Sequence, residues 1–204
     1  MYIQRCVKGI IGKVSDADGI TKDEAFEMAT LGQGILSNWW RKLIQISPQL
    51  VDDILTEGNL DRHLHDYMNF GEDTPFISLA CGAVERDTLV QQNYAYSARD
   101  TALMFATDDW VRPGALFYVW VPVSYNRAVQ IKAVAEPVRD LNIYRRWSPY
   151  QLEGEITAKI DIPANQIEKI EWWDGNVSKT DPVDVCNNSR FIAPTALSNI
   201  RDLF

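Results

Sequence analysis

The sequence predicts an α+β fold, because segments with helical patterns come first along the chain and segments with strand patterns come later. Thr21 with Glu24 three residues on matches a capping box, which is typical of a helix start. Residues 115–123 form a nearly continuous apolar and aromatic run, which indicates a strand buried on both faces. A chain of 204 residues is of a size that suits a single domain.

The elements follow one another in a clear order. Helices are predicted over residues 22–30, 34–46, 48–57, 59–68 and 97–109, from caps and apolar spacing. Strands are predicted over residues 2–7, 75–79, 115–123, 129–134, 153–160 and 167–173. Residues 139–152 are polar, aromatic and irregular, so we expect a loop there.

The strand over 153–160 has a regular alternation. Its odd positions are polar and its even positions are apolar. Side chains two residues apart lie on one face of a strand. We therefore expect one face of this strand to meet solvent, carrying Glu155, Thr157 and Lys159.

Composition and charge exclude several classes of protein. The net charge is −8 and the isoelectric point about 4.8, so the chain lacks the broad basic surface of a non-specific nucleic-acid binder. A local basic cluster remains, formed by Arg139, Arg145 and Arg146. No apolar run approaches the length of a membrane span, and the N-terminus has no signal-peptide pattern. We expect a protein that acts in the cytoplasm, or in that of a cell into which it is delivered.

The sequence offers no convincing metal or disulfide site. Its three cysteines (Cys6, Cys81, Cys186) are far apart and form no C-x-x-C, so we expect them as small buried side chains. His63 and His65 form an H-x-H, but a catalytic zinc needs three protein ligands and the chain has no further histidine. No metal is expected.

Glu153-Gly154-Glu155 is the first candidate for chemistry. The spacing alone means little, since 28 acidic residues in 204 give about four such pairs by chance. The residues that follow, Ile162-Pro163 and Ile167, are what make the segment distinctive.

Together with that spacing, the segment resembles the catalytic-glutamate region of mono-ADP-ribosyltransferase toxins, the class that includes the catalytic subunits of cholera and pertussis toxins. Three earlier positions agree with the family in order: Arg5 in the first strand, His63, and Ser78 in the strand over 75–79. The chain departs from the family after Ser78, where Leu79 and Ala80 stand in place of Thr and Ser.

The resemblance implies a fold and an organisation. It implies an ADP-ribosyltransferase-like fold, with a helical N-terminal half around a split antiparallel β-sandwich. The catalytic domain would span residues 1–174, and residues 175–204 would form a tail packed on its surface.

The resemblance also implies NAD as the substrate and a role for each matched residue. Glu155 would stabilise the oxocarbenium-like ribose cation formed as nicotinamide leaves, as a carboxylate does in glycoside hydrolysis. Ser78 would orient Glu155, Arg5 would hold the pyrophosphate, and His63 would hydrogen-bond the ribose or its neighbours.

The acceptor is the less defined half of the reaction. In this family, a glutamate at the first position of the Glu-x-Glu motif is associated with arginine acceptors on proteins. Glu153 occupies that position here. The preceding loop would help to seat the target through Trp147 and Tyr150. The resemblance therefore implies a macromolecular acceptor, with protein arginine favoured and nucleic acid open.

Three hypotheses therefore stand. The chain is an ADP-ribosyltransferase, an NAD glycohydrolase that passes ribose to water, or a binding module that keeps the fold without turnover. By analogy the transferase would be a toxin or effector, for instance of a toxin–antitoxin or phage-defence system, with an antitoxin or inhibitor protein as partner and no membrane.

Overall fold

The structure is a computed structural model. It describes residues 2–15, 18–43, 47–81, 83–87, 92–123, 135–137, 155–175 and 180–194. The predicted strand over 129–134 and the predicted loop over 139–152 lie entirely outside the described residues.

The described residues form six α-helices and eleven strands. The helices are α1 (Lys22–Thr30), α2 (Asn38–Arg41), α3 (Pro48–Ile54), α4 (Glu57–His65), α5 (Tyr67–Phe70) and α6 (Ala98–Ala106). The strands are β1 (Tyr2–Ile11), β2 (Ile35–Leu36), β3 (Phe76–Ala80), β4 (Ala83–Asp87), β5 (Gln92–Tyr96), β6 (Gly114–Val123), β7 (Glu136–Pro137), β8 (Glu155–Lys159), β9 (Asp161–Ile162), β10 (Ile167–Trp173) and β11 (Asp184–Asn187).

Seven of these strands form one antiparallel sheet in the order β11-β10-β6-β1-β3-β8-β7. Two-stranded sheets are formed by β2 with β9 and by β4 with β5. The predicted α+β class is confirmed, with most of the helices in the first half of the chain.

The large sheet consists of two parts that meet at a narrow seam. β1 and β6 pair along ten residues, and β3 and β8 pair along five. Within the described residues, the register between β1 and β3 is a single pair, Val7 opposite Ala80. We call this junction the seam. It joins one part of the sheet (β11, β10, β6, β1) to the other (β3, β8, β7).

Helices cover both faces of the sheet. Directly opposed residues of antiparallel strands lie on one face, so β1 and β6 divide their side chains cleanly between two apolar clusters. Ala25 and Ala29 of α1 pack in the larger cluster, around Phe117 and Ile170. α6 packs on the opposite face, with Leu103 and its neighbours against Val7, Leu116 and Trp173.

Two glycines allow α6 to approach this close. A Cβ atom on Gly9 of β1 would lie 2.2 Å from the backbone oxygen of Ala102. A Cβ atom on Gly114 of β6 would lie 2.0 Å from the backbone oxygen of Ala106. Any larger residue at these positions forces the helix away from the sheet.

The predicted helix over 34–46 is wrong for its first part. Gly34 has φ +73°, and Ile35–Leu36 instead pairs with Asp161–Ile162 as a strand. Ser37 then caps the short α2 through its side chain, which accepts from the N–H of Trp40. The tertiary pairing of β2 with β9 overrides the helical spacing of the apolar residues.

The predicted solvent-facing side of β8 is also wrong, since all five of its residues are buried. Glu155 and Thr157 lie on the face that α4 covers. Lys159 is opposite Phe76, on which Leu60 and Leu64 of α4 pack. An alternating pattern indicates which residues share a face but not what covers that face.

The described C-terminal residues are part of the same domain as the large sheet. β11 pairs with β10 at the edge of the large sheet. The buried side chain of Asn188 donates to the backbone oxygens of Ala164 and Ile167, at 2.8 and 2.7 Å. In the described part of the chain, no helix has the length and apolar character needed to cross a membrane.

We predict that Gly9→Ala lowers the free energy of unfolding by about 3 kcal/mol, because the new methyl group meets backbone that cannot move aside cheaply. Gly58→Ala on α4 is the matched control, since a Cβ there meets only a Thr56 atom at 4.0 Å. This control should gain about 0.5 kcal/mol. Urea denaturation measures both, and equal effects of the two substitutions would contradict the packing account.

Candidate active site

α4 places His63 against β3. The hydroxyl of Thr56 caps this helix by accepting from the N–H of Asn59. Leu60 and Leu64 lie one helical turn apart and pack with Phe76 at the start of β3. His63 lies between them in sequence, so its ring is directed onto β3 and is 3% exposed.

The ring of His63 lies at the centre of a hydrogen-bond chain. Its Nδ1 atom is 2.9 Å from Thr74 Oγ1, and its Nε2 atom is 2.9 Å from Ser78 Oγ. Phe76 packs on the ring at a centroid distance of 5.6 Å, and Tyr67 meets it edge-on at the same distance. Polar contacts in its plane and aromatic contacts on its sides fix the imidazole in one orientation.

The hydroxyl of Thr74 also accepts the backbone N–H of Phe76, at 3.2 Å. A hydroxyl has one proton and two lone pairs, so Thr74 can serve as donor or as acceptor towards His63 Nδ1.

Glu155 faces this histidine from the neighbouring strand. The register of β3 and β8 sets Glu155 opposite Ala80 and Thr157 opposite Ser78. Glu155 Oε1 is 3.7 Å from His63 Nε2 and accepts from Thr157 Oγ1 at 3.4 Å. The carboxylate is 3% exposed, and a buried charge of this kind requires nearby donors. Two strands and a helix thus hold one acidic group in a fixed position.

The charge of Glu155 affects the pKa values of two further side chains. Burial lowers the pKa of Lys8 to about 8, against the opposing effect of the Glu155 carboxylate. Burial also raises the pKa of Tyr67, and Glu155 adds to that rise. Arg41 lowers the pKa of both groups. A carboxylate, a lysine, a tyrosine and an arginine therefore share one electrostatic environment.

Arg5 lies on the same face of the sheet as Glu155. Its ion-pair partner, however, is Glu168 of β10, in the part of the sheet that contains β1. Arg5 and Val7 are two residues apart on β1, and Val7 shares a row with Ala80 and Glu155. The guanidinium of Arg5 is 3.4 Å from the carboxylate of Glu168, and its side chain is 66% exposed. An exposed pair of this kind contributes little to stability, so the guanidinium can exchange partners.

The structure brings three of the predicted site residues together: His63, Ser78 and Glu155. Glu153, Trp147 and Tyr150 lie outside the described residues. The sequence reasoning did not identify Lys8, Thr74 or Thr157. The period of two along β8 places Thr157 on the face of Glu155, but it does not mark the hydroxyl as a partner of the carboxylate.

A second buried carboxylate, Glu171 on β10, has a different environment. It accepts from Tyr118 Oη at 2.9 Å, from Lys169 Nζ at 2.6 Å and from Trp173 Nε1 at 3.2 Å. Lys169 in turn lies over the ring of Tyr118, 4.2 Å from its centroid. Three donors satisfy this carboxylate within the fold, so Glu171 is a structural group that joins β10 to β6.

The described residues contain no group of three or more histidine, cysteine or acidic side chains that could hold a metal ion.

No protein-family model matches the chain, and no curated protein sequence matches it either. Comparison with solved structures gives several matches, all at low sequence identity. A mutant of heat-labile enterotoxin is 12% identical, covering 95% of this chain and 79% of the other, with a TM-score of 0.45.

Two further structures match at a similar level. EcPltA is 11% identical, covering 93% of this chain and 88% of the other, with a TM-score of 0.48. The catalytic domain of the mosquitocidal toxin from Bacillus sphaericus is 11% identical, covering 95% and 60%, with a TM-score of 0.46. Similarity at this level leaves the chemistry to be inferred from the residues of the site.

We predict that stability rises with pH as Lys8 loses its proton. An unfolded lysine keeps its proton to about pH 10.4, whereas the folded pKa is about 8, so the unfolded chain binds more protons between these values. The gain is fully present above the unfolded pKa and is lost as the pH falls through 8. Relative to Lys8→Met, the parent should gain about 2 kcal/mol between neutral pH and about pH 10.

Urea denaturation across this pH range measures the effect. The exposed Lys13 supplies a control, since Lys13→Met removes a lysine from the surface and no buried charge. A constant difference between the parent and Lys8→Met would contradict the burial of the Lys8 charge.

Proposed function

We propose that the chain is an NAD-dependent mono-ADP-ribosyltransferase, with Glu155 as its catalytic carboxylate. The observation that carries the proposal is the buried Glu155, held on β8 against His63 and Thr157. A fixed carboxylate in a site of low polarity stabilises a developing positive charge more strongly than one in water.

The reaction needs such a charge partner. The bond between ribose C1′ and the nicotinamide nitrogen breaks, and nicotinamide leaves with the bonding electron pair. The ribose becomes cationic at C1′ in the transition state, and Glu155 lies beneath it as the counter-charge. An acceptor nucleophile then bonds to C1′ and gives up its proton.

His63, Ser78 and Thr157 act as positioning residues for Glu155. They limit the rotation of the carboxylate before NAD arrives, so no reorganisation is needed as charge develops. Ser78 contacts His63, which in turn lies beside Glu155. Ser78 would therefore orient Glu155 indirectly, through the imidazole, in the role that the resemblance implies.

Arg5 of β1 suits the pyrophosphate of NAD. It is exposed and lies on the same face as Glu155. Arg41 shares the electrostatic environment of that carboxylate, since both act on the pKa of Tyr67. Two phosphate groups carry two negative charges, and charge-assisted contacts from such residues would orient the dinucleotide.

The acceptor belongs to the proposal as well. Glu153 would activate an acceptor nucleophile, and Trp147 with Tyr150 would help to seat a macromolecular target. A protein arginine is the favoured acceptor. In this proposal residues 1–174 are the catalytic unit, residues 175–204 pack on it, and the protein serves as a toxin or effector in a cytoplasm.

Labelled NAD incubated with a cell lysate tests the proposal. The parent should transfer label to a discrete macromolecule, and Glu155→Gln should lower that transfer by about 10²–10³-fold, because the counter-charge is lost. Glu27→Gln removes an exposed carboxylate from α1 and should transfer label like the parent.

Other outcomes separate the alternatives. Nicotinamide released without labelled product would identify an NAD glycohydrolase. Equal transfer by the parent and Glu155→Gln would contradict the role of the carboxylate. If the folded parent neither releases nicotinamide nor transfers label, the chain is a binding module without turnover.

A further inference from the structure

Two cysteines lie opposite each other across the seam. Val7 of β1 is paired with Ala80 of β3 in antiparallel register. One step along this register sets Cys6 opposite Cys81, the residue that directly follows β3. The two cysteines are 75 positions apart in the sequence, so only the fold brings them together.

Independent observations agree with this juxtaposition. Cys6 belongs to the apolar cluster on the face that α1 covers, and Cys81 packs against the same cluster. Burial raises the pKa of the Cys6 thiol, and the neighbouring Cys81 raises it further. Opposed residues in antiparallel strands have Cα atoms about 4.5–5.5 Å apart, within the range that a disulfide spans.

We propose that Cys6 and Cys81 form a redox-sensitive pair that closes a disulfide across the seam, tying β1 to β3 beside Glu155. In this structure none of the three cysteines is in a disulfide.

The two thiols have different tasks in the oxidation. Cys81 is half-buried and reachable, whereas Cys6 is 3% exposed. The oxidant is a small-molecule disulfide such as oxidised glutathione. The Cys81 thiolate attacks one of its sulfurs, forms a mixed disulfide and releases one thiol. Cys6 then loses its proton and attacks the Cys81 sulfur, releasing the second thiol and leaving the protein disulfide.

The disulfide would act on the site through the sheet. Val7, Ala80 and Glu155 lie in one row across three strands, and each cysteine is the direct sequence neighbour of a member of that row. A disulfide holds its Cβ atoms about 3.8 Å apart, closer than opposed strand residues rest. It therefore draws β1 towards β3. We expect the oxidised form to cleave NAD more slowly, and this expectation rests on the proposed function.

Cys186 is the matched control within the chain. It lies on β11 opposite Ile170, and two further strands, β10 and β6, separate it from β1. Three strand spacings correspond to about 14 Å, which is beyond the reach of a disulfide. Cys186 is half-buried like Cys81, so the two differ in their neighbour and not in their burial.

The test treats the reduced full chain with oxidised glutathione, alkylates the remaining thiols and locates the products by mass spectrometry. We expect a Cys6–Cys81 link, a loss of two hydrogens, alkylation confined to Cys186, and reversal by dithiothreitol. Cys186→Ser should form the same link. Cys6→Ala should instead keep glutathione on Cys81, because the resolving thiol is missing.

Further arms keep the proposal falsifiable. Cys81→Ser, at a half-buried position, should form neither link nor adduct at that residue. Alkylation of Cys6 after oxidation of the parent, or a link that includes Cys186, would overturn the proposal. So would full release of glutathione by Cys6→Ala.

The rate of nicotinamide release, measured on the same samples, tests the consequence separately. We expect it to fall about tenfold on oxidation and to recover on reduction, since shifts of about 1 Å at a reacting centre are costly. An unchanged rate with the link formed would overturn the coupling to the site. A link formed by a protein that releases no nicotinamide in either state would overturn the proposed function and leave the disulfide standing.

Discussion

The pairing of Val7 with Ala80 is the constraint on which the candidate site depends. It joins a part of the sheet held by ten pairs between β1 and β6 to a part held by five pairs between β3 and β8. The basic residues of β1 lie on one side of this seam, and Glu155 lies on the other. Because α6 rests on Gly9 and spans β1 and β6, the first part is rigid up to the seam. The geometry of the site is thus set where the sheet has the least backbone pairing.

A buried carboxylate is costly, and the fold surrounds Glu155 with ordered polar side chains. Thr74, His63 and Ser78 form consecutive contacts of 2.9 Å, and His63 Nε2 lies 3.7 Å from Glu155 Oε1. Removing a member leaves a buried polar group unsatisfied, which costs more than the hydrogen bond contributes. The residues that hold α4 on β3 therefore also surround Glu155, the carboxylate of the proposed function. Glu171 shows the contrast, since it is also buried but serves to hold β10 and β6 together.

Patterns in the sequence predicted those parts of the structure that depend on local spacing. The capping box at Thr21 and the apolar run at 115–123 both correspond to observed elements, because caps and continuous apolar strands are local properties. The helix predicted at 34–46 begins instead as a strand, since β9 lies over 120 residues further on and no local signal announces it. For the site, motif order led to His63 and Glu155, whereas Thr74 and Lys8 became visible only once α4 and the sheet were in place. The burial of Glu155 could not be predicted either, because a helix from another part of the chain covers it.

A double-mutant cycle on nicotinamide release tests the central claim most directly. Thr74→Val keeps the shape of the side chain but removes the hydroxyl that holds His63 Nδ1. If Thr74 acts through His63 on Glu155, it should lower the single-turnover rate about tenfold, the size of one lost hydrogen bond. The same substitution should then have no further effect in the Glu155→Gln background, where the group that it positions is gone. An equal loss of rate in both backgrounds, or no loss in either, would contradict the account.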